Sequence, residues 1–105
     1  MIMLDSDLMI QRGSPYSYTF NEDKGIDTIK KYIDKTYKAH YGNGKYQATD
    51  MIIDAGHGEG FCIGNIMKYA MRYGKKDGKK NSELLKIIHY ALIALDLTEK
   101  HNDWR

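Results

Sequence analysis

Residues 83–100 read Glu83-Leu84-Leu85-Lys86-Ile87-Ile88-His89-Tyr90-Ala91-Leu92-Ile93-Ala94-Leu95-Asp96-Leu97-Thr98-Glu99-Lys100, and this run decides the fold class. It contains neither Gly nor Pro, and Leu, Ala, Lys and Glu are good helix formers. Asn81 or Ser82 suits an N-cap, and Glu83 suits the positive end of a helix. The apolar residues surround the helix nearly completely, which predicts a central or interfacial position.

Working back, residues 61–73 read as a helix with Ile63, Ile66, Met67 and Ala70 as its apolar stripe. Gly74 fits the C′ position after it, and Lys75-Lys76-Asp77-Gly78-Lys79-Lys80 reads as a basic solvated loop. A shorter helix is predicted over 47–55, with Ala48, Met51, Ile52 and Ala55 inward. The stretch Gly56-His57-Gly58-Glu59-Gly60 reads as a flexible loop between these two helices.

Over 26–40, Ile26, Ile29, Ile33 and Tyr37 recur three and four apart, opposite Lys30, Lys31, Asp34, Lys35 and Lys38. That is an amphipathic helix, ended by Gly42-Asn43-Gly44. Tyr16, Tyr18 and Phe20 alternate with Pro15, Ser17 and Thr19, which reads as a short strand or extended arm over 14–20. Asn21-Glu22-Asp23-Lys24-Gly25 is expected to break it and to open a helix.

The expected architecture is mainly α: a small single-domain helical bundle of about four helices. Residues 26–100 form its core and 1–13 a flexible arm. With 105 residues there is room for one domain and none for separate cofactor and substrate domains. So short a chain buries a thin core. Nine Tyr and six Met offer material for a homo-oligomer interface, expected on the last helix.

Sixteen Lys+Arg against 14 Asp+Glu give a net charge of +2, which argues against a nucleic-acid coat acting through bulk charge. Met1-Ile2-Met3-Leu4 is interrupted by Asp5 and Asp7 and does not read as a secretory signal. The longest apolar run, Ala91 to Leu95, is far below the roughly 18 residues of a membrane span. A cytoplasmic location is expected. The single cysteine, Cys62, excludes an internal disulfide and reads as a core residue.

The mild global charge hides a basic zone. Between Gly64 and Lys86 there are seven Lys/Arg against Asp77 and Glu83, a local excess of five. Helical spacing lines up Phe61, Asn65, Lys68, Tyr69, Arg72 and Lys76 on one face, opposite the apolar stripe. Arg offers a planar donor fork for phosphate, Lys a compact charge, and Tyr69 or Phe61 a surface on which a base stacks. Asn65 beside Gly64 is a poor helix choice, and local rules broken without a packing gain tend to mark sites. A solvated helix face carries the same spacing, and both readings stay open.

His57 and Glu59 in the glycine stretch are weaker candidates, as exposed loop residues or as proton or metal ligands. No Gly-Lys-Ser/Thr follows, so the stretch is not a P-loop. His40, His57, His89 and His101 lack paired metal-ligand spacing, and no metal site is expected. His89 and Tyr90 read as core residues. Asp50 and Asp54 stand one turn apart, as a carboxylate pair or as a solvated helix face.

The pattern Phe61-Cys62, Gly64-Asn65, Lys68-Tyr69 and Arg72-Tyr73-Gly74-Lys75-Lys76, followed by a Leu-rich helix with Lys86 and Tyr90, resembles the SaV-like small bacteriophage proteins. It is also similar to the C-terminal region of the short-tailed coliphage nucleotide kinase. His40-Tyr41 and Thr49-Asp50 match upstream elements of that pattern.

The resemblance implies a phage protein acting in the host cytoplasm on a nucleotide. Asn65, Lys68, Arg72, Lys75 and Lys76 carry over as its ligand-binding residues, with His40, Asp50 and His57 as weaker candidates. The kinase's cysteine-rich N-terminal part has no counterpart here. The expectation is therefore a non-catalytic protein that sequesters a host defence-signalling nucleotide, with no cofactor. One alternative is a nucleoside monophosphate kinase-like enzyme with Mg²⁺ at Asp50 or Asp54. Another is a protein–protein module aimed at a host factor.

Overall fold

The first helix is opened by its own side chain. Glu22 Oε1 accepts a hydrogen bond from the Phe20 N–H at 3.1 Å, and the Asn21 N–H donates to Tyr18 O at 3.3 Å. Asn21 lies at φ +54°, a left-handed conformation that Asn tolerates better than most residues. The computed structural model describes residues 15–40, 45–75 and 78–101, the side chains of 40, 45–47 and 101 excepted. In chain order its helices are α1 (Glu22–His40), α2 (Lys45–Asp54), α3 (Gly58–Arg72) and α4 (Asn81–His101). The chain is mainly α, as expected.

Among the described residues there is no strand, so of the two readings of residues 14–20, strand or arm, the strand is corrected. Residues 15–20 are exposed and bend and turn into α1 instead of extending. Ser14 and the proposed arm over 1–13 lie outside the described residues, as does the turn Gly42-Asn43-Gly44. The tract 21–25 ends the preceding segment at the left-handed Asn21 and opens α1 at Glu22. The Gly25 N–H already donates to Asn21 O at 3.0 Å, so α1 is wound four residues before Ile26.

On α1, Ile29 is 7 % exposed and Ile33 half-buried, as their spacing predicts. Burying a side chain of this size contributes about 2 kcal/mol. Ile26 and Tyr37, expected on the same stripe, are exposed. Tyr32 packs in their place, its ring edge-on to His89 of α4 with centroids 6.0 Å apart.

α2 is rotated from its expected setting. Ala48, Met51 and Ala55 are exposed, whereas Ile52 and Ile53 are half-buried. Gly56 at φ +91° and the bonds Gly56 N–H to Ile53 O and His57 N–H to Ile52 O turn the chain straight into α3. That tight turn presents Ile53, rather than Met51, to the start of the next helix.

The glycine stretch is therefore no flexible loop. Gly58, Glu59 and Gly60 form the first turn of α3, and Gly58 is buried. A Cβ on Gly58 would lie 2.8 Å from Leu97 Cδ1 and 3.0 Å from Ile53 Cγ1. Glycine here lets α2, α3 and α4 approach one another. Gly74 at φ +82° follows the C-cap Tyr73, whose N–H donates to Tyr69 O, as expected for C′.

α3 and α4 run antiparallel and pack along most of their length: Gly58 meets Leu97, Phe61 meets Tyr90, and Arg72 meets Glu83. Cys62 lies in this seam with no exposed surface. The side of α3 turned to α4 is not the expected one. Phe61, Asn65 and Tyr69 are half-buried, whereas Ile63, Met67 and Ala70 of the expected core stripe are exposed and Ile66 is half-buried. Aromatic rings bury as much area as aliphatic chains, so α3 has two competing faces, and the aromatic one is inside. None of the described helices is long and apolar enough to cross a membrane.

Candidate functional site

Tyr69 sits two turns beyond Phe61 on α3, and Tyr90 faces both from α4. The Tyr69 and Tyr90 rings are nearly parallel, 14° apart with centroids at 6.3 Å, and Phe61 meets Tyr90 edge-on at 5.7 Å. Three cations converge on the Tyr69 ring. Lys68 Nζ lies 4.6 Å, Lys86 Nζ 4.9 Å and Arg72 Cζ 5.6 Å from its centroid. All three fall within the roughly 6 Å at which a cation is attracted to an aromatic ring.

One carboxylate accompanies them. Glu83, in the first turn of α4, is 6 % exposed, and its Oε2 lies 3.9 Å from Arg72 Nε. That distance makes an ion pair but no hydrogen bond. Glu83 Oε1 is buried with no hydrogen-bond partner among the described residues. Three cations against one acid leave the cluster positive.

Burial sets the protonation behaviour around this seam. It pushes the Tyr90 hydroxyl above the usual tyrosine range, with neighbouring Tyr69, Cys62 and Tyr32 adding in the same direction. It also pushes the Cys62 thiol up, which keeps the sulfur protonated and unreactive. His89 is pushed down by burial and so favours the neutral imidazole.

Lys68, Tyr69 and Arg72 of the expected set are brought together. Lys75 is exposed in the turn beyond α3, and Lys76 lies outside the described residues. Asn65 is committed elsewhere: its Nδ2 donates to Phe61 O at 2.8 Å, one turn back on its own helix. That bond accounts for an Asn in mid-helix without a ligand. A Cβ on Gly64 would meet nothing within 4 Å, so its backbone borders open space.

His57 is the exposed N-cap residue of α3, and its side chain makes no capping bond. His40 ends α1, and its side chain lies outside the described residues. Glu83, Lys86 and Tyr90 enter the site without having been singled out for it. The signal was available: they stand three and four apart on an otherwise apolar helix and form one polar stripe.

Asp50 and Asp54 occupy a different place. They line an open cleft of about 660 Å³ between α1, α2 and α4, floored by Ile33, Ile53, Ile93 and Leu97. Its lining includes none of Lys68, Tyr69, Arg72 or Lys86. Asp96 at its rim is paired with Lys100 at 3.1 Å. Among the described residues no group of three His, Cys, Asp or Glu side chains is placed to hold a metal ion.

No curated protein and no solved structure matches the chain. Residues 33–92 match the family DUF3310, described as a protein of unknown function, and every residue of the cation–tyrosine cluster falls within that stretch. As the match covers more than half of the 105 residues, the chain belongs to the DUF3310 family.

Proposed function

We propose that the α3–α4 cluster holds a nucleotide, or a nucleotide-derived phosphate ligand, and does not transform it. The observation that carries this reading is the convergence of Lys68, Arg72 and Lys86 on the Tyr69 ring. Phosphate oxygens accept from the guanidinium and ammonium donors, and Tyr69 offers the aromatic surface against which a base packs. The carboxylates suited to Mg²⁺, Asp50 and Asp54, line the separate cleft, which favours binding over phosphoryl transfer. Together with the resemblance to small phage proteins, this supports sequestration of a host signalling nucleotide in the cytoplasm of an infected cell.

The test is a thermal-shift panel of linear and cyclic nucleotides, with mass spectrometry of the ligand released on denaturation. The expected result is a shift with the ligand recovered unchanged, weakened by salt and lost in a Lys68→Ala/Arg72→Ala double variant. A phosphorylated product would favour the kinase reading instead. No shift with any nucleotide at millimolar concentration would reject binding.

A further inference from the structure

Three helices wall the cleft that holds Asp50 and Asp54, and together they shape it as a trough. Ile33 and Tyr37 of α1 stand on one side, Ile53 and the two aspartates of α2 on another, and α4 runs along it from His89 to Lys100. That stretch of α4 is about 16 Å long, or roughly three helical turns.

Its apolar surface is still open to water. Tyr37 is 50 % exposed and Leu92 42 %, beside the floor of isoleucine and leucine already described. The rim is acidic. Lys100 answers Asp96, but Asp50 and Asp54 have no ion-pair partner among the described residues. Standing four apart, they share the face of α2 that lines the trough. This charge runs against the chain as a whole, which carries +2.

The form of the trough argues for a macromolecule. Small-molecule pockets enclose about 70–90 % of their ligand, whereas a segment of a second protein brings its own cover to an open groove. The walls are helices and offer no sheet edge for an extended strand to join, so the segment that fits is helical.

We propose that this trough is the docking site for a basic amphipathic helix of a partner protein. Its apolar side chains, recurring three and four apart, pack between Tyr37 and Leu92 along the floor. Its Lys or Arg side chains, one turn apart, meet Asp50 and Asp54. Exposed apolar surface with a polar rim is the common form of a protein-binding surface. The two unpaired carboxylates attract a basic helix and repel an acidic one. Lys68, Arg72 and Lys86 line no part of the trough, so the partner and a nucleotide occupy separate places.

The test selects peptides of about 15 residues from a random displayed library on the full native chain, long enough for four helical turns. The selected peptide is then titrated by fluorescence anisotropy. Expected sequences carry Leu, Ile, Phe or Trp at i, i+3 or i+4, and i+7, with Lys or Arg beside them. Binding is expected to weaken at least about tenfold in Asp50→Asn/Asp54→Asn, and separately in Leu92→Arg. These side chains are exposed, so the helical circular-dichroism signal is expected to stay native. On the native chain itself, raising salt from about 50 to about 300 mM is expected to weaken binding about tenfold.

No enriched peptide, an enriched set without basic residues, or equal affinity in the variants would overturn the proposal. So would emission from Trp104, the only tryptophan, that moves to the red when Asp50 and Asp54 are replaced. The chain's own Trp104 and Arg105 would then be the occupant.

Discussion

Tyr69 of α3 and Tyr90 of α4 lie 14° from parallel with their centroids 6.3 Å apart, and this ring pair joins the packing seam to the cation cluster. Tyr69 supports the seam with one part of its ring and draws Lys68, Lys86 and Arg72 with the rest. Tyr69→Phe keeps the ring, so both the fold and ligand binding are expected to persist. Tyr69→Ala removes a half-buried ring and is expected to cost about 2 kcal/mol by urea unfolding and to abolish the nucleotide thermal shift.

Three glycines of α3 separate packing from propensity. Gly58→Ala forces a methyl against Leu97 and Ile53 and is expected to destabilise by about 1–3 kcal/mol despite alanine's helix preference. A Cβ at Gly60 or Gly64 meets nothing within 4 Å. Alanine at either is expected to stabilise by up to ~1 kcal/mol. Thermal melts of the three variants check this directly. If Gly64→Ala blocks a nucleotide that the native chain binds, that ligand approaches the α3 backbone.

Glu83 holds Arg72 on its seam side and opposes any anion in the cluster. Glu83→Gln keeps the shape and removes the negative charge. Phosphate-bearing ligands are expected to bind roughly threefold more tightly, about 0.6 kcal/mol, with a steeper dependence on salt. Titrations by calorimetry at two ionic strengths read both effects. Unchanged affinity would place the phosphates away from Arg72.

His89 ties stability to pH. Burial lowers its pKa in the folded chain below the roughly 6.5 of the unfolded one. The unfolded state therefore binds the proton more readily, so the contribution is present above about pH 6.5 and is lost as pH falls toward the folded value. Tyr32 faces the ring edge-on from α1, and Asp50, Asp54 and Asp96 line the cleft that His89 also borders. The urea midpoint is expected to drop between about pH 7.5 and 5.5, and the drop to shrink in His89→Gln.

Helix content was legible because α1 carries its periodicity over nineteen residues and α4 runs for twenty-one residues of mostly good helix formers without Gly or Pro. The inward side of α3 was not. Ile63, Met67 and Ala70 make the more hydrophobic stripe, yet Phe61, Cys62, Asn65 and Tyr69 form the packed one. Periodicity finds an axis of amphipathicity, and long-range contacts choose between its two ends. Gly58 misled for a related reason, since glycine serves both flexibility and close approach, and only Leu97 and Ile53 reveal which. Lys68, Tyr69 and Arg72 could be picked out from α3 alone. Glu83, Lys86 and Tyr90 join them from a helix whose apolar girth drew attention away from its polar stripe.

The complete burial of Cys62 turns its sulfur into a clock for the parting of α3 and α4. A thiol reagent in solution reaches Sγ only when the helices separate, and the protonated thiol does not react before then. Where the reagent traps the exposed thiol faster than the helices re-close, the labelling rate is the rate at which the seam opens; with slower trapping it reports how often the seam stands open. No engineered probe is required, because this is the chain's only cysteine. Run with and without a nucleotide, the same clock measures how firmly a ligand clamps the two helices shut.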